Sequence, residues 1–222
     1  MSNEIEAVTE GIKAAQEVAK TTGKALDAAQ AGGAYLARML GTVPEDVVGL
    51  FGGDLLRQYR IRNWHRISQK TFDKLDQRGV EQLEPLNAKV IVPLLEAASN
   101  EGDETLQDMW ANLLANAMDP DRDVYLQRVF IDTLKQFEPI DARILSAYLE
   151  VGASNACSPN NLVQKVDLRV TEVIISADRL VSLGCLNNLT RDRSAAAGPK
   201  TTYQISALGL ELRRACSSPP AS

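Results

Sequence analysis

A run of basic and aromatic side chains between residues 57 and 70 offers the clearest binding chemistry in this sequence. Arginine and lysine neutralise phosphates and aromatic rings stack on bases, so the run could hold nucleic acid. It could equally hold anionic lipid head groups. A third interpretation, which we favour, is pairing with the acidic segment 75–123 of the same or a neighbouring chain. This segment contains eleven acidic and three basic side chains. The candidate residues for an anionic partner are Arg57, Tyr59, Arg60, Arg62, Trp64, Arg66 and Lys70.

A second basic group lies near the C-terminus, in a polar stretch that contains glycine and proline. Arg191, Arg193 and Lys200 outnumber the acidic Asp192 there and are candidate contacts to DNA phosphates. The predicted helix 170–183 just before it is net negative, because Arg179 is its only basic residue. We therefore expect protein contact or dimerisation more readily than base recognition from this region.

Catalytic, metal-binding and cofactor-binding patterns are missing from the sequence. The single histidine, His65, excludes a histidine-dependent triad or a multi-histidine metal site within one chain. Residues 119–123 imitate the start of a calcium loop, but the glycine and glutamate required later are absent. No phosphate-binding glycine motif occurs. Cys157, Cys185 and Cys216 are widely spaced and odd in number, which indicates reduced thiols in a cytosolic protein.

Composition is that of a globular, helix-rich protein. The chain has 222 residues, of which 45% are hydrophobic and only 5% aromatic, with a net charge of −5. The negative charge argues against a surface wholly devoted to nucleic acid. The acidic N-terminus and the absence of a long uninterrupted apolar run argue against a secretory signal and a transmembrane helix.

The first forty residues carry small or apolar side chains at helical spacing. This pattern predicts one long amphipathic helix, or two helices broken near residues 21–23. Packing on the protein itself, a self-associating coiled coil and a membrane-active helix pair are all compatible with it. The candidate self-association residues are Ile5, Val8, Ile12, Ala15, Ala19, Leu26, Ala29, Gly33 and Leu36.

The segment 31–56 is apolar and rich in glycine but contains four charged residues. Each charge would cost a few kcal/mol at bilayer depth, so contact with a membrane surface is easier than spanning.

Two consecutive helices are predicted between residues 86 and 120. The first has an apolar stripe and is broken by Asn100 and Gly102. Asp103 suits the start of the second helix, and Asp119-Pro120 ends it because the residue before proline avoids helical backbone. The elements themselves indicate a packed helical hairpin.

The residues of this hairpin also resemble a known family. The resemblance lies in Pro93-Leu94-Leu95-Glu96-Ala97-Ala98, Glu104, Leu106-Gln107-Asp108, Trp110-Ala111, Leu113-Leu114-Ala115-Asn116-Ala117 and Asp119-Pro120. Together they resemble the bacterial abortive-infection alpha family, and the similarity spans most of residues 45–137. The resemblance implies a role in phage defence and does not specify a mechanism.

From residue 140 onward, a helix, a helix-turn-helix, a two-stranded hairpin and a last helix are predicted. This order resembles a winged helix-turn-helix domain. The expected fold is therefore mainly α, with an N-terminal helical region and a C-terminal winged helix that has a small two-stranded wing. The predicted divisions are 1–42 for the amphipathic segment, 43–137 for the helical core, 140–216 for the winged helix and 217–222 for a flexible tail.

These observations predict a non-enzymatic, cytoplasmic anti-phage protein that acts by forming homo-oligomers, with or without contact at the inner face of the membrane. A phage or host protein of unknown identity would be its trigger, and no cofactor is expected. A DNA-binding winged-helix regulator, with nucleic acid as a less favoured partner, is the first alternative. A toxin with nuclease-like activity is the second.

Overall fold

The computed structural model describes residues 54–148, 156–189 and 201–218, and within these ranges the fold is mainly helical. The predicted fold class is thereby confirmed in its helical content. The helices are α1 (Asp54–Gln77), α2 (Ala88–Ser99), α3 (Glu104–Met118), α4 (Arg128–Leu134), α5 (Pro139–Ala147), α6 (Pro159–Val166), α7 (Val170–Ser182) and α8 (Ala207–Ala215). The strands are β1 (Ala156–Cys157), β2 (Leu186–Asn188) and β3 (Tyr203–Ile205).

Several helices begin where a short polar side chain satisfies free backbone N–H groups of the first turn. The Asp103 carboxylate accepts hydrogen bonds from the N–H groups of Thr105 and Leu106 and so caps α3. Ser158 and Ser206 cap α6 and α8 in the same way. These helix starts agree with the sequence prediction. The end of α7 was also predicted correctly, at Gly184, which adopts φ 76°.

Helix α3 is the centre of the molecule. Its side chains from Leu106 to Met118 are buried except Asp108, which is half-buried, so neighbours cover the helix on all sides. Helix α1 packs on both α3 and α2, and α5 and α8 also pack on α3. The buried hydrophobic residues form one continuous cluster from Trp64 to Cys216. The predicted division into domains is not tested by this packing and stays a prediction.

Helix α4 is shorter than predicted. The pattern of apolar residues placed a helix over 124–136, whereas the helix begins at Arg128. Gln127 precedes it in extended backbone and provides no side-chain cap. Val124 and Tyr125 lie outside the helix, which agrees with the preference of branched and aromatic side chains for extended backbone.

The C-terminal sheet has three strands where two were predicted. Its order is β1-β3-β2, and both pairs are antiparallel. Strand β1 lies in a stretch predicted to be a polar loop. It has only two residues, which is too few for an alternating pattern to be recognised. The designation of this region as a winged helix stays a prediction.

None of the helices within residues 54–148, 156–189 and 201–218 combines the length and the apolar character that crossing a membrane requires.

Candidate functional site

The turn after α3 is tied to the end of α1 by Asp119. Its side chain is buried, and its carboxylate accepts a hydrogen bond from the N–H of Asp121 at 3.1 Å. The other carboxylate oxygen lies 3.4 Å from Nη1 of Arg78. The N–H of Arg122 donates to the carbonyl oxygen of Asp119 at 3.0 Å. Asp119 therefore shapes the turn and neutralises the arginine that follows α1.

Asn116 extends this arrangement to the C-terminal end of the described chain. Its Oδ1 accepts a hydrogen bond from Nη1 of Arg78 at 2.9 Å. Its Nδ2 donates to the carbonyl oxygens of Ala215 at 2.8 Å and Ser217 at 2.9 Å. Asn116 and Asp119, both part of the family resemblance, thus hold together three separate parts of the fold. We call Arg78, Asn116 and Asp119 the polar junction.

A cleft of about 510 Å³ opens beside the polar junction. Its walls are the segment before and at the start of α2, residues 84–90, and the segment 122–126, with Ala117 at the base. The N–H of Glu84 donates to the carbonyl oxygen of Met118 at 2.9 Å and joins the first wall to the end of α3. The volume lies within the range usual for small-molecule sites.

The basic run on α1 faces the neighbouring acidic segment at several positions. Lys70 lies 3.0 Å from a carboxylate oxygen of Asp108 and 3.5 Å from one of Glu104. Nε of Arg60 donates to Oδ1 of Asn100 at 2.8 Å, and the Tyr59 hydroxyl donates to the Asn100 carbonyl oxygen at 3.3 Å. Part of the basic run is therefore engaged within the protein.

The other members of the basic run differ in exposure. Trp64 is only 1% exposed and packs in the core, so its ring is not available to stack on an external base. This corrects its assignment to a surface site, because its position on the apolar side of α1 decides its orientation. Arg62 lies over the Tyr59 ring at 5.8 Å from the centroid, and Arg66 is exposed. The side chain of Arg57 lies outside the described residues.

The only basic residue of α7 is engaged in a contact with α5. Arg179 donates through Nη1 to the Glu138 carboxylate and through Nη2 to the carboxylate of Asp141. Asp141 is fully buried and also accepts from the Ser176 hydroxyl and from the N–H of Glu138 at 2.8 Å. These contacts lock α7 against α5 and leave Arg179 little freedom to reach an external partner.

The side of α7 opposite its buried residues Val173, Ala177 and Leu180 presents an exposed face with no basic side chain. It consists of Thr171, Ile175, Asp178 and Ser182, which follow at helical spacing, and Ile175 is 70% exposed. We call these four residues the α7 face. Sequence reasoning missed Ile175. The signal that could have identified it is its position, because it is an apolar residue on the side of the helix away from the buried residues.

The described cysteine and tyrosine side chains are poor nucleophiles where they are buried. Burial raises the pKa of the Cys185 thiol to about 12. Burial also raises the pKa of the Cys157 and Cys216 thiols above the ordinary value. Desolvation likewise raises the pKa of the Tyr148 hydroxyl. All three cysteines are free and buried, as expected of reduced thiols. Among the described residues, no three metal-ligating side chains come together.

Two predicted groups cannot be placed. The basic residues Arg191, Arg193 and Lys200 lie outside the described residues, and so do the N-terminal candidates for self-association: Ile5, Val8, Ile12, Ala15, Ala19, Leu26, Ala29, Gly33 and Leu36.

The comparison with known proteins identifies a family. Comparison with curated proteins and with solved structures gave no significant match. The family model described as abortive infection alpha matches residues 57–216, which include the polar junction, the cleft and the α7 face. Because this match covers more than half of the chain, the protein belongs to the abortive infection alpha family.

Proposed function

We propose that this protein is a non-enzymatic abortive-infection protein that acts by self-association. Family membership supports the abortive-infection role. The observation that supports association is the α7 face, where an isoleucine side chain is 70% exposed on an ordered helix. Exposed apolar patches mark surfaces that bind other proteins, and we take Ile175 as the apolar centre of such a surface on α7.

The charge of the α7 face favours a protein partner over nucleic acid. A helix that reads bases normally presents arginine, lysine, asparagine or glutamine to the groove. The α7 face presents a threonine, an isoleucine, an aspartate and a serine. The carboxylate of Asp178 accepts a hydrogen bond from the Tyr203 hydroxyl at 2.7 Å and adds negative charge that phosphates would repel.

The N-terminal segment supplies the second element of the proposal. Residues 1–42 carry the small-residue stripe that predicts close helix packing between chains. In this scheme the stripe forms the assembly and the α7 face adds a second contact. Peripheral contact with a membrane surface through the same segment stays a subsidiary proposal.

The test is the absolute mass of the purified protein by light scattering over a range of concentrations. We expect the full chain to assemble and the chain without residues 1–42 to form smaller species. Ile175→Asp should raise the dissociation constant of the assembly by about tenfold or more, because a buried contact loses its apolar area and gains a charge. Val129→Asp, at a second exposed apolar position on α4, is the matched control and should leave the mass unchanged.

Two outcomes would contradict the proposal. One is a full chain that stays monomeric at all concentrations and does not bind anionic vesicles. The other is an equal effect of Ile175→Asp and Val129→Asp on the mass. The number of phage plaques on cells that produce the protein tests its role in defence. Phage should form fewer plaques on these cells, and Ile175→Asp should reverse that protection.

A DNA-binding regulator is the second candidate, and the order of elements supports it. Helix α5, strand β1, helices α6 and α7 and strands β2 and β3 follow one another as expected in a winged helix-turn-helix. Any DNA contact would come from Arg191, Arg193 and Lys200 between the last two strands. This alternative requires duplex DNA binding that weakens with salt and with Arg191→Ala or Arg193→Ala.

A further inference from the structure

The cleft beside the polar junction contains a positively charged group that lacks a partner. Arg122 is half-buried and lines the cleft. Its Nε is sealed from solvent and has no hydrogen-bond partner. The guanidinium forms no hydrogen bond or ion pair with any of the described residues. A buried donor without a partner costs about 1–3 kcal/mol, so this arrangement is destabilising unless something binds there.

The nearby acidic residues do not relieve this cost. Asp119 is the buried carboxylate of the turn, but its side chain already meets Arg78 and the N–H of Asp121. Asp123 and Glu84 line the cleft, yet neither lies within ion-pair distance of Arg122. Arg213 also has sealed, unpartnered nitrogens, but it lines neither this cleft nor the smaller cavity next to it at Asp123–Tyr125. Arg122 therefore combines an unpartnered cation with space for a ligand.

The rest of the lining is suited to the body of a small molecule. Leu86, Val90 and Val124 contribute apolar surface, and Lys89 adds a second cation. Tyr125 borders the cleft and is 81% exposed, which leaves its ring free to cover a ligand. The acidic Glu84 and Asp123 would repel a ligand with several negative charges. The site thus favours a single acidic group on an apolar or aromatic body.

We propose that the cleft binds a small organic anion, with a phosphate or carboxylate held by the guanidinium of Arg122 and an apolar body covered by Tyr125. Arginine recognises both acidic groups through paired hydrogen bonds, which fix the orientation of the ligand. The cleft and the α7 face involve different elements, so this proposal does not depend on self-association.

The test uses the full chain and four simple probes in calorimetric titrations at millimolar concentration. Phenyl phosphate and benzoate carry one acidic group on an aromatic ring, and they separate phosphate from carboxylate recognition. Phenol lacks the charge, and inorganic phosphate lacks the ring. We expect one of the two aromatic anions to bind more tightly than phenol and inorganic phosphate.

Three variants locate the binding. Arg122→Gln should weaken binding of that aromatic anion by about tenfold or more, because a charge-assisted hydrogen bond is lost. Arg128→Gln removes an exposed arginine outside the cleft and should leave binding unchanged. Tyr125→Ala should weaken binding of the aromatic anion and leave the response to inorganic phosphate unaltered.

The melting temperature of the unliganded protein gives an independent reading. Arg122→Gln should leave it unchanged or raise it, since the variant removes a half-buried guanidinium whose sealed Nε has no partner among the described residues. A marked fall in the melting temperature would overturn the proposal, because it would reveal a structural partner for Arg122. Failure of both aromatic anions to bind, or an equal loss of binding in Arg122→Gln and Arg128→Gln, would overturn it as well.

Discussion

A half-buried arginine lies in each of two regions, the contact between α5 and α7 and the turn after α3, and its surroundings differ between them. Between α5 and α7, both terminal nitrogens of Arg179 meet carboxylates, and only its Nε lacks a partner. After α3, Arg122 meets no acidic group among the described residues, although three aspartates lie within three residues of it in the sequence. The first region uses its charge to join two helices, whereas the second leaves its charge facing a cleft.

The comparison separates structural charges from candidate binding charges. Desolvation of a cation is compensated only when hydrogen-bonding partners replace the lost water. Arg179 and Arg78 have such partners, and their contacts hold helices together. Arg122 has none among the described residues. A half-buried arginine that lines a cleft, has a sealed Nε and meets no partner among the described residues is therefore a candidate site for an external anion.

The largest effect should follow from breaking the contact between α5 and α7. Asp141→Ala removes a fully buried carboxylate and leaves Nη2 of Arg179 and the Ser176 hydroxyl without their acceptor. We expect the free energy of unfolding to fall by about 3 kcal/mol, a value moderated by the partial exposure of Arg179. Chemical denaturation measures it.

Asp132→Ala is the matched control for this change. Asp132 also pairs with cations, Arg128 and Lys135, but all three side chains are well exposed. Exposed ion pairs contribute little to stability. Equal losses in Asp141→Ala and Asp132→Ala would mean that burial does not distinguish the two contacts.

An intermediate effect should come from the polar junction. Asn116→Ala removes one acceptor from Arg78 and leaves the carbonyl oxygens of Ala215 and Ser217 without their donor. We expect a loss of about 2 kcal/mol in the free energy of unfolding, again by chemical denaturation. Asn160→Ala on the exposed surface of α6 is the control and should change little. A loss no larger than that of the control would show that water replaces the contacts of Asn116.

The smallest effect should be a pH dependence at the turn between α2 and α3. Burial raises the pKa of the Glu101 carboxyl, although the N–H of Asp103 donates to it at 2.7 Å and opposes the change. Because the pKa in the folded protein is higher, folding favours the protonated form. This stabilising contribution is present at low pH and is lost as the pH rises through the folded pKa.

Glu101→Gln is the variant that isolates this contribution. It should be more stable than the parent protein at neutral pH and show no advantage at a pH below the ordinary pKa of glutamate, because both side chains are then neutral. Thermal unfolding at a series of pH values measures the difference. An advantage that stays constant across the series would contradict the assignment.

Much of the helical fold could be predicted because its signals are local. Asp103 at the start of α3, Pro120 at its end and Gly184 after α7 act within a few residues of the chain. The same reasoning failed for β1, which has two residues and depends on pairing with β3, and for the first turn of the helix predicted at 124. Pairing between distant segments leaves no periodic pattern in either segment.

The cleft could not be predicted for the same physical reason. Its walls come from residues 84–90 and 122–126, which are distant in the sequence and come together in the folded chain, where the N–H of Glu84 meets the carbonyl oxygen of Met118 at the end of α3. The hydrogen bonds of Asp119 form a local turn at residues 119–122, and the next helix begins only at Arg128. The sequence does not reveal that Arg122 lacks a partner among the described residues, because this depends on which arginine Asp119 pairs with in the folded protein.

The bond between Asn116 and the carbonyl oxygens beyond α8 has a consequence for synthesis of the chain. Its partners lie 99 and 101 residues later in the sequence. At translation rates of about 5–20 residues per second, the central helix waits on the order of 5–20 seconds before this side chain can be satisfied. The nascent protein must therefore pass through a stage in which its most buried helix is still open to solvent or to a chaperone.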